Sequence, residues 1–237
     1  MVEPLRVGLA GLGTVGVAVV RLLDRQRAEL EARCGRPIVV TAVSARTRNK
    51  DRGVDLSGVS WYDDAPSLAM SNGIDVLVEV IGGEGGAAKA AVDAAVGRGL
   101  PVVTANKALL ARHGNAVARR ADETGSSVGF EAAVAGGIPI VRCLREALAG
   151  NRISRVYGIL NGTCNYILTR MEREGLDFAT CLAEAQRLGY AEADPTFDVE
   201  GFDTAHKLAL LTSLAFGTEV ETDSMLIEGI SAITPDD

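Results

Sequence analysis

Three glycines and one charged pair carry the most chemistry in this sequence. Gly11, Gly13 and Gly16 form a GxGxxG pattern within Gly8-Leu9-Ala10-Gly11-Leu12-Gly13-Thr14-Val15-Gly16. The pattern follows a predicted strand and opens a predicted helix, the context a dinucleotide-binding turn requires. Gly11 permits a tight turn, Gly13 lets the backbone approach a pyrophosphate, and Gly16 allows helix to pack on strand. The first helical N–H groups, at Thr14 and Val15, and the positive end of the helix dipole then suit phosphates. A glycine-rich turn without ligand is the competing reading. The charged pair is Asp203 and Lys207, spaced i,i+4 on a predicted helix and therefore facing one way. Leu210, Leu211 and Leu214 continue that stripe. Spacing alone leaves two readings: charges pointed into a cleft, or a surface salt bridge with Asp203 as N-cap.

The tip of the second predicted strand bears on cofactor choice. A binder of NAD places an acid about 20 residues past the glycines, for the ribose 2′-hydroxyl. The tip here reads Val43-Ser44-Ala45-Arg46-Thr47-Arg48 and has no acid. Arg46, supported by Arg48 and Lys50, suits a 2′-phosphate instead; an ordinary solvated basic loop is the alternative. Lys107 and Thr104 sit at the carboxyl end of another predicted strand, where open α/β sheets bind ligands. A water-exposed lysine in a first helical turn is the bland reading of Lys107.

These residues are positioned by alternating strands and helices. Strands are predicted over Leu5–Ala10, Pro37–Ser44, Ile74–Val80, Pro101–Thr104 and Ser127–Phe130. Helices are predicted over Thr14–Arg33, Ala65–Ser71, Gly86–Arg98 and Ala108–Ala121. Such alternation implies right-handed crossovers and a parallel sheet. The strands lack polar alternation, as expected when both faces are covered. Trp61 and Tyr62 are expected to close a loop over the sheet. The rhythm then changes: helices over Ile138–Leu148, Gly162–Glu174, Phe178–Leu188 and Asp203–Ala215, with a strand-like Ile153–Ile159. A loop over Gly189–Gly201 is rich in carboxylates. The fold class is therefore α/β: a Rossmann-type domain over 1–130, followed by an α+β substrate and dimerisation domain over 131–237.

Composition excludes other classes. The chain has 237 residues, 47% of them hydrophobic, enough for a sizeable core. Net charge is −7 and there is no dense Lys/Arg block, which argues against a nucleic-acid partner. Cys34, Cys143, Cys164 and Cys181 form no CxxC pair, so reduced thiols in a cytoplasmic protein are expected. No signal peptide or membrane span is evident.

Further motifs resemble one family. GLGTVG at Gly11–Gly16, Thr104-Ala105-Asn106-Lys107-Ala108-Leu109, and Asn161-Gly162-Thr163-Cys164-Asn165-Tyr166 resemble homoserine dehydrogenases. So does Leu188-Gly189-Tyr190-Ala191-Glu192-Ala193-Asp194-Pro195, followed by Asp198, Gly201, Asp203 and Lys207. The resemblance implies interconversion of L-homoserine and L-aspartate 4-semialdehyde with NADP or NAD, in threonine, methionine and isoleucine biosynthesis. It implies that Gly189, Glu192, Asp198 and Asp203 contact substrate, that Lys207 is the acid/base, and that Lys107 lies near the nicotinamide. It also implies a monovalent cation, often sodium, held by Glu131 and by the carbonyls of Val134, Gly136 and Ile138, and a homodimer. Alcohol oxidation needs a hydride acceptor, a base and groups that hold the amino-acid end. Lys207 suits the second role if burial or neighbouring cations lower its pKa. Members of the family normally continue well past residue 237, so the substrate domain is expected to be incomplete; no kinase domain is expected ahead of the first strand. A semialdehyde dehydrogenase would need a thiolate, and Cys164, without a companion base, reads as packing. His113 and His206 read as bystanders. A truncated or non-catalytic NADP-binding protein of the same fold is the remaining alternative.

Overall fold

The computed structural model describes residues 2–220, 222–234 and 237. The chain forms two compact units, Met1–Arg142 and Cys143–Asp237.

The first unit is built on one six-stranded sheet. Strands β1 (Leu5–Ala10), β2 (Ile38–Ser44), β3 (Ser60–Tyr62), β4 (Val76–Glu79), β5 (Val102–Thr104) and β6 (Val128–Gly129) lie in the order β3-β2-β1-β4-β5-β6. Every pairing is parallel. This is the doubly wound order, whose direction reverses between β1 and β4 and opens a crevice at their carboxyl ends. Ser44, Ala10, Glu79 and Thr104 stand side by side in register at that edge. The crossover helices are α1 (Thr14–Arg25), α2 (Arg27–Cys34), α3 (Ala65–Ala69), α4 (Gly86–Gly97) and α5 (Lys107–Thr124). The alanines of α4 explain its close seat: Ala88, Ala91, Val92, Ala95 and Val96 are all buried. α5 starts at Asn106, whose side chain accepts from Leu109 N, and stops at Gly125 in the left-handed region. Short helices α6 (Glu131–Val134) and α7 (Ile140–Arg142) end the unit.

Two expectations are corrected here. The helix foreseen over Thr14–Arg33 is two helices, broken at Gln26 (φ −101°, ψ 16°). Trp61 and Tyr62 do not close a loop; they lie in β3, where Trp61 pairs with Val43 and Tyr62 with Ser44. Three residues carry too little periodicity to announce a strand.

The second unit is helical among the described residues. After a π-helical turn at Cys143–Ala147 come α8 (Gly162–Glu174), α9 (Phe178–Arg187), α10 (Thr196–Val199) and α11 (Phe202–Phe216). Ile167 and Met171 on α8 meet Cys181 and Ala185 on α9, with Ala191 and Val199 closing the cluster. Both pairs are i,i+4, so each helix presents one stripe. The strand expected over Ile153–Ile159 is not formed. Its pattern is strand-like, but a strand needs a ladder partner. Tyr157 and Ile159 instead stand 86% and 78% exposed.

Candidate functional site

In the first unit the sequence-predicted cofactor residues gather at the carboxyl edge of the sheet. Gly11 has φ +105°, and a Cβ there would meet Val80 O at 2.8 Å. A Cβ at Gly16 would meet Gly11 O at 2.0 Å. Both positions therefore require glycine, one for the turn and one for close packing. Gly13 differs: a Cβ there would find nothing within 4 Å. Its glycine leaves open space above the turn, which is what a pyrophosphate approaching the backbone needs. Gly13 is also the N-cap of α1, with no side chain capping it among the described residues. Thr14 and Val15 open that helix and are exposed. The turn fits a dinucleotide phosphate.

Arg46 and Arg48, beyond β2, are exposed, as is Lys50. Arg52 holds their loop in place. Its guanidinium donates to Leu12 O at 3.2 Å, Lys50 O at 2.8 Å and Thr47 O at 2.5 Å, and it lies 5.5 Å from the Trp61 ring centroid. Arg52 thus ties the basic loop to the glycine turn, a role that spacing did not reveal.

Glu79 is fully buried at the end of β4. Its carboxylate accepts from Ile81 N at 2.7 Å, Gly82 N at 3.3 Å and Thr104 Oγ1 at 2.5 Å. Thr104 Oγ1 in turn accepts from Asn106 N at 3.0 Å, and Asn106 Nδ2 donates to Gly83 O at 2.8 Å. A buried charge is tolerated when its lone pairs are taken up this way. The network sets the ends of β4 and β5 and the first turn of α5, and hence where Lys107 starts.

Glu131 opens α6, and its two oxygens accept from Val141 N (2.9 Å) and Arg142 N (3.1 Å). Val134, Gly136 and Ile138 lie in the segment that this bond closes; Ile138 O accepts from Ile140 N at 2.8 Å. A carboxylate has about four lone-pair sites, so the two N–H bonds leave capacity for a further ligand.

In the second unit Asp198, Asp203 and Lys207 come together. Asp203 is 3% exposed and lies in the first turn of α11; the N-cap is Gly201, so Asp203 is not the cap. Lys207 Nζ donates to Asp203 Oδ2 at 2.7 Å and to Leu160 O at 2.8 Å. The pair is therefore not a surface salt bridge. Asn161, buried, donates from Nδ2 to Asp198 Oδ1 at 2.8 Å and to Asp203 Oδ2 at 2.9 Å. Thr163 Oγ1 donates to Tyr190 O at 2.8 Å and lies 3.4 Å from Asp198 Oδ2. Gly189 (φ +79°) and the Glu192 side chain are exposed in the turn after α9, outside this network. In this unit Asn161 and Thr163 have roles that sequence reasoning missed, as Arg52 and Glu79 do in the first. Burial, and then the neighbouring Asp198 and Asp203 charges, push the Cys164 thiol up to about 11, so it supplies no thiolate. His206 packs edge-on to Phe197, with ring centroids 5.3 Å apart.

Known proteins are similar to this chain in sequence and in fold. A family model for the homoserine dehydrogenase NAD-binding domain matches residues 11–131, and one for homoserine dehydrogenase matches residues 139–237. The homoserine dehydrogenase of Pseudomonas aeruginosa is 48% identical over 235 residues, covering 99% of this chain and 54% of that protein. A crystal structure of the Thiobacillus denitrificans homoserine dehydrogenase aligns with TM-score 0.92 and 46% identity over 99% of this chain and 54% of that one. A hyperthermophilic archaeal homoserine dehydrogenase, solved in complex with NADPH, aligns with TM-score 0.82 and 25% identity over 98% of this chain and 75% of its own. The chain spans about half the length of the curated relatives it matches. With a glycine turn at the switch point of a doubly wound sheet and both family models matched in sequence order, the chain belongs to the homoserine dehydrogenase family.

Proposed function

We propose that the chain carries the cofactor-binding and much of the substrate-binding apparatus of an enzyme that interconverts L-homoserine and L-aspartate 4-semialdehyde, with NADP preferred over NAD. The observation that carries this reading is the buried Asp203–Lys207 pair, joined to Asp198 through Asn161. It puts a proton-transfer amine beside two carboxylates suited to an ammonium and a hydroxyl. As the neutral amine, Lys207 takes the hydroxyl proton of homoserine as the alcohol is oxidised; as the ammonium it returns that proton in the reverse direction. Asp198, Asp203, Glu192 and the backbone at Gly189 hold the amino-acid end. The nicotinamide supplies the hydride acceptor when bound. Gly11, Gly13, Gly16 and the first turn of α1 seat its phosphates, Arg46 pairs with a 2′-phosphate, and Thr104 and Lys107 border the nicotinamide end.

A monovalent cation such as sodium would be held by Glu131 and by the Val134, Gly136 and Ile138 carbonyls. The protein acts as a cytoplasmic homodimer on a small-molecule substrate, in the biosynthesis of threonine, methionine and isoleucine. Among the described residues no helix is long and apolar enough to cross a membrane. The test is to supply L-homoserine with NADP+ and follow NADPH by absorbance and the semialdehyde by trapping. A full-length relative assayed beside it is expected to form NADPH from homoserine, while the 237-residue chain is expected to bind NADPH and to turn over poorly or not at all. Turnover comparable to the relative's would show that the chain suffices for the reaction; failure to bind NADPH would contradict the reading.

A further inference from the structure

We propose that Asn161 is a positioning residue whose one side-chain amide keeps the Asp198 and Asp203 carboxylates side by side and fixes the oxygen on which Lys207 is held. The inference deepens the reading of Asp203 and Lys207 as reaction-site residues.

Five contacts carry it. Asn161 Oδ1 accepts from Cys164 N at 2.8 Å, capping α8. An acceptor is required there, so the amide orientation is settled and Nδ2 must face the acids. Each of its two N–H groups then serves one acid, at 2.8 Å for Asp198 Oδ1 and 2.9 Å for Asp203 Oδ2. The same Oδ2 receives Lys207 Nζ, and that ammonium also donates to Leu160 O, the residue just before Asn161. Residues 160 and 161 therefore grip both members of the Asp203–Lys207 pair.

The chemistry requires such a group. Two carboxylates held close together repel, here with Asp203 buried and Asp198 half-buried, and donors placed between them relieve that repulsion. The titratable groups facing Asn161 are Asp198 on α10, Asp203 and Lys207 on α11 and the Cys164 thiol on α8, which burial keeps neutral. Lys207 neutralises one carboxylate; the amide is the donor that reaches both. Without it, the proton held by the acids competes with the proton Lys207 has to carry.

The test separates clamp from cap. Asn161→Asp is isosteric and is itself a favourable N-cap, so α8 keeps its start. Ionised, it has no N–H to give and adds a third charge. Asp 13Cγ and Lys Nζ signals are followed by NMR across pH in the 237-residue chain. The carboxylate titration of the 198/203 pair is expected to move up by about one pH unit or more, with the Lys207 Nζ signal displaced. Asn161→Ser keeps the cap but offers a single donor; it is expected to move the titration in the same direction by less, and it decides the matter if the aspartate variant fails to fold. Titration of Asp198 and Asp203 at the wild-type pH in the folded variant would overturn the proposal. The readout needs no turnover, so failure of the clamp and failure of the proposed activity are distinguishable.

Discussion

Lys207 Nζ lies 2.7 Å from Asp203 Oδ2, one turn away on the same helix, and the Asp203 side chain is only 4% exposed against 19% for Lys207. An exposed i,i+4 pair contributes a few tenths of a kcal/mol. A buried one is costly to desolvate and is weak evidence for stability. The proposed proton-transfer role accounts for such a pair where stability does not.

Replacing Lys207 tests that explanation. Lys207→Ala is expected to lower homoserine turnover by about 10²-fold or more while NADPH still binds. Steady-state kinetics beside a fluorescence titration checks both halves. Near-full turnover in the variant would remove Lys207 from the proton-transfer role.

Arg46 is exposed beyond β2, and the proposed function pairs it with a 2′-phosphate. A charge-assisted bond to it is worth roughly 1.5–3 kcal/mol. Arg46→Ala is therefore expected to weaken NADPH about 10-fold or more and to leave NADH almost unchanged. Equal losses for both dinucleotides would contradict the assignment. Arg52→Ala serves as contrast: it frees the loop from Leu12 and is expected to weaken both.

Glu79 accepts three hydrogen bonds in full burial. Glu79→Gln turns one acceptor oxygen into a donor facing either Ile81 N–H or the Thr104 hydroxyl. A loss of about 1–3 kcal/mol is expected in chemical denaturation. An unchanged midpoint would show that the loop tolerates rearrangement.

Cys164 gives a pH prediction. Its folded-state pKa, about 11, lies above the ordinary thiol value near 8.5. The folded state therefore binds its proton more tightly. The associated stability is fully present below roughly pH 8.5 and is lost as pH rises through about 11. At pH 8 iodoacetamide is expected to modify exposed Cys34 at least about 10-fold faster than Cys164. Peptide mapping over time reads the ratio, and comparable rates would mean that the thiol is not shielded as described.

Much of the first unit was legible because its signals are local. The glycine turn and the alanine stripe of α4 each lie within one element, whereas the helix expected to end at Ala121 runs on to Thr124. β3 was not legible, since Ser60–Tyr62 is too short to show a period. The break at Gln26 lies in a run with helical character and no proline or glycine to mark it. Ile153–Ile159 shows the limit of periodicity: alternation indicates a face, not a partner. The site divides likewise. The Asp203–Lys207 pair follows from helical spacing. The Asn161 contacts to Asp198 and Asp203 span 37 and 42 residues, a separation no motif spacing encodes. Glu79 reads as an ordinary strand end until β5 brings Thr104 beside it.

The most direct measurement of the central claim, that a nicotinamide dinucleotide sits on the glycine turn, uses Gly13. A Cβ there meets nothing within 4 Å, so Gly13→Val is expected to fold, at a cost of about 1 kcal/mol for the poorer N-cap, while filling the space for the pyrophosphate. NADPH fluorescence titration of the 237-residue chain should give saturable binding, weakened at least about 10-fold in the variant, which is roughly 1.4 kcal/mol. Equal binding by the two proteins, or no saturable binding by the unmodified chain, would contradict the account.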